Sequence, residues 1–281
     1  MSHIRSLLHK SAERAHASPP ASATAIPENI LSFADAAAPA PFRTEFPVEE
    51  AQLSPSNRLV YYVDPRSPAA DRYRLLRMRL KAHASNGKLK KILVTSPLPH
   101  DGKSTLVLNL ATALAERGKR KVLVVEADLH HACLAENLSL RPWIGLSGCL
   151  AEEGTPPLSA IRRIEPLGWY LLPAGGPRRN PTELLQTPAF GHVMQVLSPH
   201  FDWILIDSPP VVPLTDSLSL QQHADATLLV VRAGSTPRDT VDHTIELLGK
   251  KNILGIVLNG VELRDHMYYQ YYNADRRDHD D

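Results

Sequence analysis

Short aliphatic runs recur along the chain from residue 91 onward, separated by polar or helix-like segments. Because Val, Ile and Leu follow one another in these runs without alternation, we expect strands that are buried on both faces. Such strands, joined through helices by right-handed crossovers, form a parallel sheet. The pattern therefore predicts one doubly wound, mostly parallel α/β domain over residues 67–265. The runs are KILVT (91–95), KVLVVEA (121–127), WYLLPAG (169–175), WILIDSP (203–209), ATLLVVRAG (226–234) and ILGIVLNG (253–260).

The N-terminal part of the chain lacks this pattern. Residues 1–60 contain 7 of the 24 prolines and 12 alanines, and the first glycine is Gly87. Such a stretch buries too little apolar surface to offset its ordering entropy, so we predict a disordered Pro/Ala-rich segment. Within it, residues 3–16 are either a frayed terminus or a short basic helix that docks on a membrane surface or a partner. Apolar residues at helical spacing then predict a helix over 71–84.

Composition contributes mainly exclusions. The 31 Lys and Arg residues nearly balance the 30 Asp and Glu residues, and the resulting net charge of +1 argues against a nucleic-acid partner. Two cysteines, Cys133 and Cys149, are too few for a disulfide scaffold or a Cys-rich zinc site. No run of 18 apolar residues and no signal-peptide pattern occurs, so we expect a cytoplasmic protein.

A phosphate-binding loop is predicted directly after the first aliphatic run, where SPLPHDGKST precedes a helix-forming stretch. Backbone amides between a strand and a helix N-terminus bind polyphosphate, and the helix dipole adds to the attraction. Gly102 lets the backbone approach closely, Lys103 reaches the β- and γ-phosphates, and the Ser104 hydroxyl binds Mg²⁺. Pro97 replaces the first glycine of the usual GxxxxGK(S/T) pattern. The predicted nucleotide-binding residues of the loop are Asp101, Gly102, Lys103, Ser104 and Thr105.

Polar residues at the ends of later runs extend this site. Asp207 ends WILID, where phosphate-loop enzymes place a carboxylate near Mg²⁺, although a turn or cap residue also fits. Glu126 and Asp128 are two apart at a strand end, so they either bind Mg²⁺ and take a proton or form a solvated strand end. Asn259 follows the last run, where it either hydrogen-bonds the nucleotide base or occupies a turn.

A tyrosine cluster lies near the C-terminus, within the sequence MYYQYYNADRRDHDD. The polar residues after it predict a mobile tail over 266–281. A flexible tail can present tyrosines to an active site as phosphate acceptors, whereas a tail strand or an interface patch is the alternative. The four candidate acceptors are Tyr268, Tyr269, Tyr271 and Tyr272.

Several motifs occur in a fixed order along the chain. TSPLPHDGKST and VLVVEADLH are followed by PTELL (181–185), by ILIDSPPV with Thr215 and Asp216, and by GIVLN before the tyrosines. With these motifs together, from about Ser67 to Tyr272, the chain resembles the cytoplasmic bacterial tyrosine kinases (BY-kinases) of capsule and exopolysaccharide systems. The first two motifs and ILIDSPPV correspond to that family's Walker A, Walker A′ and Walker B sequences.

The resemblance implies a P-loop fold related to the partition and division-site ATPases, with ATP and Mg²⁺ as cofactors. It implies autophosphorylation of the tyrosine tail between neighbouring subunits. Asp128 or Glu126 would orient or deprotonate the acceptor tyrosine, and Ser104, Asp207 and Glu126 would hold the metal. The residues expected to carry catalysis are Lys103, Asp128, Glu126 and Asp207.

The resemblance also implies partners. These are a membrane-embedded chain-length regulator (polysaccharide co-polymerase) as a separate chain, a protein tyrosine phosphatase, and further copies of this chain in a ring. The family's ExxRxxR helix corresponds to Asp71, Arg74 and Arg77. We therefore expect a cytoplasmic protein that associates peripherally with the inner face of the membrane.

Four positions depart from the family pattern: Glu126 replaces an Asp, His130 an Arg, His100 a Gly and Asp71 a Glu. Glu126 and His130 motivate one alternative, a catalytically weak, nucleotide-sensing scaffold of the same machinery. A second alternative is a dimerising ATPase of the partition type. Leu98 argues against it, because those ATPases carry a signature lysine at that point of the loop.

Overall fold

The computed structural model describes residues 46–54, 57–85, 87, 89–151, 154–177 and 179–261. Its strands are β1 (Val48–Glu50), β2 (Lys91–Thr95), β3 (Val122–Glu126), β4 (Arg162–Glu165), β5 (Trp169–Leu172), β6 (Trp203–Asp207), β7 (Ala226–Arg232) and β8 (Ile253–Asn259). Its α-helices are α1 (Val60–Val63), α2 (Pro68–Ala84), α3 (Lys103–Ala115), α4 (Leu134–Asn137), α5 (Leu146–Cys149), α6 (Pro181–Gln186), α7 (Pro188–Leu197), α8 (Asp216–Gln221) and α9 (Arg238–Leu248).

The strands form a single eight-stranded sheet in the order β1-β4-β5-β3-β6-β2-β7-β8. All neighbouring pairs are parallel except β4 and β5, which run antiparallel. The predicted doubly wound, mostly parallel fold is confirmed, and each of the six aliphatic runs contains a strand. Because the parallel strands end at one edge of the sheet, the residues that follow β2, β3, β6 and β8 are brought to a common edge.

Two strands were missed, and one of them corrects the predicted disordered segment. Residues 1–45 lie outside the described residues, as does the basic helix predicted over 3–16. Val48–Glu50, however, forms β1, with Val48 opposite Arg163 of β4. Phe46 is buried against Tyr170 and Phe201, at ring-centroid distances of 5.2 and 5.8 Å. The boundary at residue 60 is therefore wrong, because the chain before it already contributes to the sheet and the core.

The central strands divide their side chains between two apolar layers. Ile92 and Val94 of β2 pack in one cluster with the residues of α3, whereas Leu93 packs in the other with α7. The same alternation occurs on β3 and β6. Helix α3 is almost entirely buried, which fixes the loop that precedes it. Within the described ranges, every helix is too short or too polar to cross a membrane.

Helix α2 carries the residues predicted to assemble a ring. It begins at Pro68, after Ser67, whose side chain accepts a hydrogen bond from the Ala70 amide. Arg74 forms an ion pair with Asp71. Arg77 donates to the Ala113 carbonyl of α3 at 3.1 Å. These contacts lie within one chain, so ring assembly through Asp71, Arg74 and Arg77 stays a prediction.

Candidate nucleotide-binding site

The loop between β2 and α3 has a backbone conformation that requires glycine at one position. Gly102 has φ +99°, a left-handed value that side chains oppose. A Cβ atom there would lie 1.9 Å from Nδ2 of Asn259, which itself donates to the Asp101 carbonyl at 2.9 Å. The structure thus places Asn259 of β8 against the loop, and its hydrogen bond to a nucleotide base stays a prediction.

Lys103, Ser104 and Asp207 meet at the start of α3. The Ser104 hydroxyl donates to Oδ2 of Asp207 at 3.0 Å, and Lys103 is buried to 8% exposure. In the described part of the chain, Nζ of Lys103 makes no hydrogen bond or ion pair. A positively charged side chain that is largely buried is stabilised by a bound anion, so this arrangement suits a phosphate. Thr105, half-buried, follows in the first turn of the helix.

Asp207 is the strongest candidate for a metal-binding carboxylate. Its Oδ1 is buried and has no hydrogen-bond partner among the residues that the structure describes. Burial raises the pKa of Asp207 to about 7, although the Lys103 ammonium opposes the shift. A bound divalent cation would supply a partner for Oδ1 and would stabilise the ionised form. One carboxylate, one hydroxyl and substrate phosphates are oxygen ligands of the kind that Mg²⁺ prefers, so the residues fit this ion.

Glu126 has a role that its sequence position does not reveal. Its Oε1 accepts hydrogen bonds from the amides of Cys133 and Leu134 at 2.7 and 2.6 Å, and its Oε2 accepts from the Ala174 amide at 2.9 Å. Burial raises the pKa of its carboxyl group, and these three amides oppose the shift. The geometry does not support the predicted metal-binding and proton-accepting roles, because both oxygens already hold two loops together.

Asp128 is the remaining acidic residue of the Walker A′ motif, and its carboxylate is the one that could receive a proton from an acceptor hydroxyl. It is buried to 7% exposure, and only Oδ1 is engaged, by the amide of His131 at 3.0 Å. The predicted pairing of Glu126 with Asp128 is therefore not realised, since the two carboxylates bind different backbone segments. The Asp128 carboxylate keeps one oxygen without a hydrogen-bond partner among the described residues, as a proton acceptor needs.

Asp101 shapes the phosphate loop from within. Its Oδ2 accepts from the Leu98 amide at 3.1 Å, and its Oδ1 accepts from the Thr236 hydroxyl at 2.7 Å. Arg232 at the end of β7 donates to the His100 carbonyl at 3.1 Å. The Asp101 side chain thus has a structural role, and nucleotide binding by Asp101 stays a prediction. Thr236 and Arg232 were missed, because nothing local in the sequence links them to a loop more than 130 residues away.

His130 binds a second buried carboxylate. Its Nε2 lies 2.8 Å from Oδ2 of Asp216 and 3.3 Å from the Thr182 hydroxyl. Asp216 is fully buried, and in the described ranges its Oδ1 has no hydrogen-bond partner. The histidine therefore occupies the position of the family's arginine and connects the end of the Walker A′ motif to α6 and α8.

Cys133 is a further site residue that the sequence analysis left without a role. Its Sγ lies 3.5 Å from Oγ of Ser104. Burial raises the pKa of the Cys133 thiol to about 11, so it stays protonated at neutral pH. Its position directly after the Walker A′ motif is the only signal that could have indicated this contact.

A parallel sheet with a glycine-containing loop at the N-terminus of α3, a buried lysine and a Ser–Asp pair defines a P-loop nucleotide-binding domain. Residues 92–277 match the family described as "CobQ/CobB/MinD/ParA nucleotide binding domain", and the chain belongs to this family. The predicted tyrosine acceptors, residues 268–272, lie outside the described residues.

Curated relatives narrow the assignment to bacterial tyrosine-protein kinases. The chain is 28% identical to YwqD of Bacillus subtilis (strain 168) over 218 residues, which cover 77% of this chain and 91% of that protein. It is 33% identical to CpsD of Streptococcus pneumoniae serotype 4 over 190 residues, 66% of this chain and 82% of that protein. The name of each is "tyrosine-protein kinase". Other relatives are longer, and the chain spans 32% of wzc of Salmonella typhimurium.

A solved structure agrees with this assignment. The kinase domain of the Escherichia coli tyrosine kinase ETK superposes with a TM-score of 0.70 at 25% identity, over 74% of this chain and 82% of that one. The predicted resemblance to BY-kinases is confirmed. The partition-type alternative fits less well, since the relatives are named as tyrosine kinases and Leu98 replaces the signature lysine.

Proposed function

We propose that the chain is an MgATP-dependent tyrosine autokinase that phosphorylates the C-terminal cluster Tyr268–Tyr272 of a neighbouring copy. The observation that carries the proposal is a pair of charged groups beside the phosphate loop: within the described residues, Oδ1 of the buried Asp207 has no hydrogen-bond partner, and the Lys103 ammonium acts on that carboxylate. A buried cation and a buried carboxylate oxygen, close enough to influence one another, match a nucleotide phosphate and its divalent counter-ion. The kinship with tyrosine-protein kinases supports tyrosine as the acceptor.

Each site residue has a defined task in this mechanism. Lys103 binds the β- and γ-phosphates and neutralises charge that develops during transfer, while the loop amides before α3 hold the polyphosphate. Ser104 and Asp207 would hold Mg²⁺, which supplies charge neutralisation when bound. Asp128 accepts the proton of the incoming phenol. Phosphoryl transfer needs little more than this positioning and charge neutralisation.

Partners follow from the same proposal. A separate membrane-embedded chain-length regulator would recruit the kinase to the inner face of the membrane, where it would regulate exopolysaccharide polymerisation and export. A protein tyrosine phosphatase would reverse the modification. Four phosphotyrosines add roughly −6 to −8 charge to the tail. Such a tail is repelled by the carboxylates of a neighbouring site, so phosphorylation should loosen an assembly of copies.

The direct test is autophosphorylation of the full-length chain with MgATP, followed by mass spectrometry of the tail. We expect phosphate on the tyrosine cluster, at a rate per subunit that rises with protein concentration. After phosphorylation, analytical ultracentrifugation should show a smaller sedimentation coefficient, because the assembly of copies loosens. Lys103→Met should reduce the rate roughly 100-fold or more, because phosphates lose their buried counter-charge. Lys81→Met is the matched control, because it removes an exposed lysine of α2 whose ammonium group pairs with Glu116.

ATP turnover without any tyrosine modification would contradict the proposal and favour a nucleotide-sensing scaffold. The hydrogen bonds of Glu126 motivate this second candidate, the scaffold. Because Glu126 is occupied by backbone amides, a single carboxylate, Asp128, is left to receive the proton. Asp128→Asn separates the two functions, since a kinase loses phosphotransfer whereas a scaffold keeps nucleotide binding and assembly unchanged.

A further inference from the structure

A cavity of about 690 Å³ opens beside the carboxyl ends of β3 and β5. Cavities of this volume accommodate small molecules or a few residues of a peptide. Apolar and proline side chains dominate the wall, with two glutamates among them. The lining includes Leu140, Pro142, Trp143, Pro173, Gly176 and Pro177.

Trp143 presents a fixed aromatic surface to this cavity. Its indole Nε1 donates to the Ala160 carbonyl at 2.9 Å. The guanidinium of Arg162 lies over its ring, 5.8 Å from the centroid. A rigid indole flanked by prolines is suited to bind another flat ring, because aromatic pairs add attraction beyond the area that they bury.

The cavity and the phosphate site share a wall. Glu126 lines the cavity and accepts the amides of Cys133 and Leu134. Cys133 in turn touches Ser104 at 3.5 Å. A peptide in the cavity would therefore lie close to the residues that border the phosphate loop.

The tyrosine segment is the occupant that best matches this position. The described chain ends at Val261, just past β8, and Asn259 of β8 contacts the phosphate loop. Val261 thus lies at the edge of the sheet at which the cavity opens. To reach the cavity of its own subunit, the tail would have to pass the phosphate loop, since β2 lies between β8 and β3 in the sheet. A tail from a second copy meets no such obstacle.

We propose that this cavity is the acceptor-docking site of the kinase, in which Trp143 binds a tyrosine ring of the segment Tyr268–Tyr272 from a second copy. The inference rests on the proposed function and adds to it the place where the acceptor binds. Clustered tyrosines then serve two purposes, one ring anchoring the segment while another receives phosphate.

A binding experiment tests the cavity without catalysis. The probe is a synthetic peptide of residues 264–277, titrated against the full-length chain with excitation of tryptophan alone. Trp169 and Trp203 are buried to 0% and 7% exposure, so a change in emission reports Trp143. We expect a saturable change in tryptophan emission as the peptide is added, and we expect Trp143→Phe to abolish that change. Competition of a non-hydrolysable ATP analogue with the peptide would overturn the proposal, because it would assign the cavity to the nucleotide.

A mixing experiment tests which copy uses the cavity. An active copy with its four tail tyrosines changed to Phe is mixed with a Lys103→Met copy, and labelling of the latter is followed. Trp143→Ala in the active copy should raise the KM for the acceptor about tenfold with MgATP affinity unchanged. The same substitution in the Lys103→Met copy should have no effect. An effect seen only in the acceptor copy would overturn the proposal.

A second variant, at an exposed position, tests whether an effect of Trp143→Ala comes from the cavity or from a disturbed fold. At Gly176 an added Cβ meets no atom within 4 Å, so Gly176→Phe fills the mouth of the cavity from an exposed position. It should raise the acceptor KM as Trp143→Ala does. Ile144→Ala, an exposed neighbour outside the lining, is the matched control and should leave it unchanged. If wild type labels the acceptor and both cavity variants match it, the docking site is wrong while the kinase stands; if wild type labels nothing, the kinase proposal itself fails.

Discussion

The two sides of the site differ in how their charged groups are hydrogen-bonded. Beside β2 and β6, charged side chains keep atoms without hydrogen-bond partners among the described residues. Beside β3 and β5, backbone amides fill the carboxylate of Glu126. Lys103 and Asp207 retain a free Nζ and a free Oδ1 within the described residues. Glu126 accepts three backbone amides. Asp207 and Glu126 are nevertheless register partners on adjacent strands.

This difference distinguishes residues whose polar atoms can bind a ligand from residues whose polar atoms stabilise the loops of the site. An unpartnered buried charge costs stability and persists where a ligand compensates for it. A carboxylate filled by amides stabilises the loops around it and contributes little to ligand binding. Neighbouring acidic residues in equivalent motifs can therefore have opposite tasks, and substitutions should affect them in opposite directions.

The largest expected effect is on the Glu126 side. Glu126→Ala leaves two buried amides and one half-buried amide without acceptors and should lower the free energy of unfolding by about 4 kcal/mol, since each such donor costs about 1–3 kcal/mol. Glu126→Asp, one methylene shorter, cannot reach both loops and should cost about half as much. Chemical denaturation measures both changes, and Glu136→Ala, an exposed glutamate of α4, is the control.

The same variants test the scaffold alternative. If Glu126 serves only the loops, Glu126→Asp should give no gain in autophosphorylation. A large gain would mean that the family's aspartate restores a catalytic group, and would contradict the structural role derived from the three amides. Unchanged stability of Glu126→Ala would contradict it equally.

Asp207→Asn should act in the opposite direction in the nucleotide-free protein. The folded pKa of about 7 lies above the unfolded value of about 3.8, so the stability that this group contributes is present at low pH and is lost as the pH rises through 7. Asparagine cannot ionise and avoids that loss. Relative to wild type, the variant should therefore gain about 2 kcal/mol of unfolding free energy between pH 5 and pH 8.

Thermal unfolding at the two pH values measures this gain, and the same variant should lose magnesium-dependent nucleotide binding. Asp202→Asn, which removes an exposed carboxylate at the start of β6, should show no comparable pH dependence. A stability difference between Asp207→Asn and wild type that is the same at pH 5 and pH 8 would mean that Asp207 is ionised throughout.

The sequence predicts the fold better than it predicts the division of labour within the site. Continuous apolar runs reveal strands buried on both faces, whereas the edge strand β1 has three residues and its neighbour β4 (RRIE) is largely charged, so neither gives such a signal. The loop motif and the end of a strand run likewise pointed to Lys103, Ser104 and Asp207, and the structure brings the last two into contact, while their roles stay predictions.

The role of Glu126 could not be predicted in the same way. Its amide partners lie 7, 8 and 48 residues further along the chain, and only the packed fold brings them to it. The same holds for Asp101 and Thr236, which are 135 residues apart. A polar residue at a strand end thus indicates a site, but its partners decide whether it binds ligand or backbone.

The smallest expected effect concerns the phosphate loop itself, where His100 replaces the family's glycine. His100 has φ +64°, a left-handed conformation that costs a residue with a side chain about 1–2 kcal/mol. Its carbonyl, which accepts from Arg232, is present whatever the side chain. His100→Gly should therefore stabilise the protein by about 0.5–1 kcal/mol, after allowance for the larger entropy that glycine loses on folding.

Differential scanning fluorimetry can detect this gain as a rise in Tm of about 1–4 °C. His100→Ala is the decisive comparison, because alanine removes the imidazole but keeps the unfavourable φ. We expect no stabilisation from it. If alanine and glycine stabilise equally, the imidazole and not the backbone conformation is the source of the effect, and the loop is then as relaxed with histidine as with glycine.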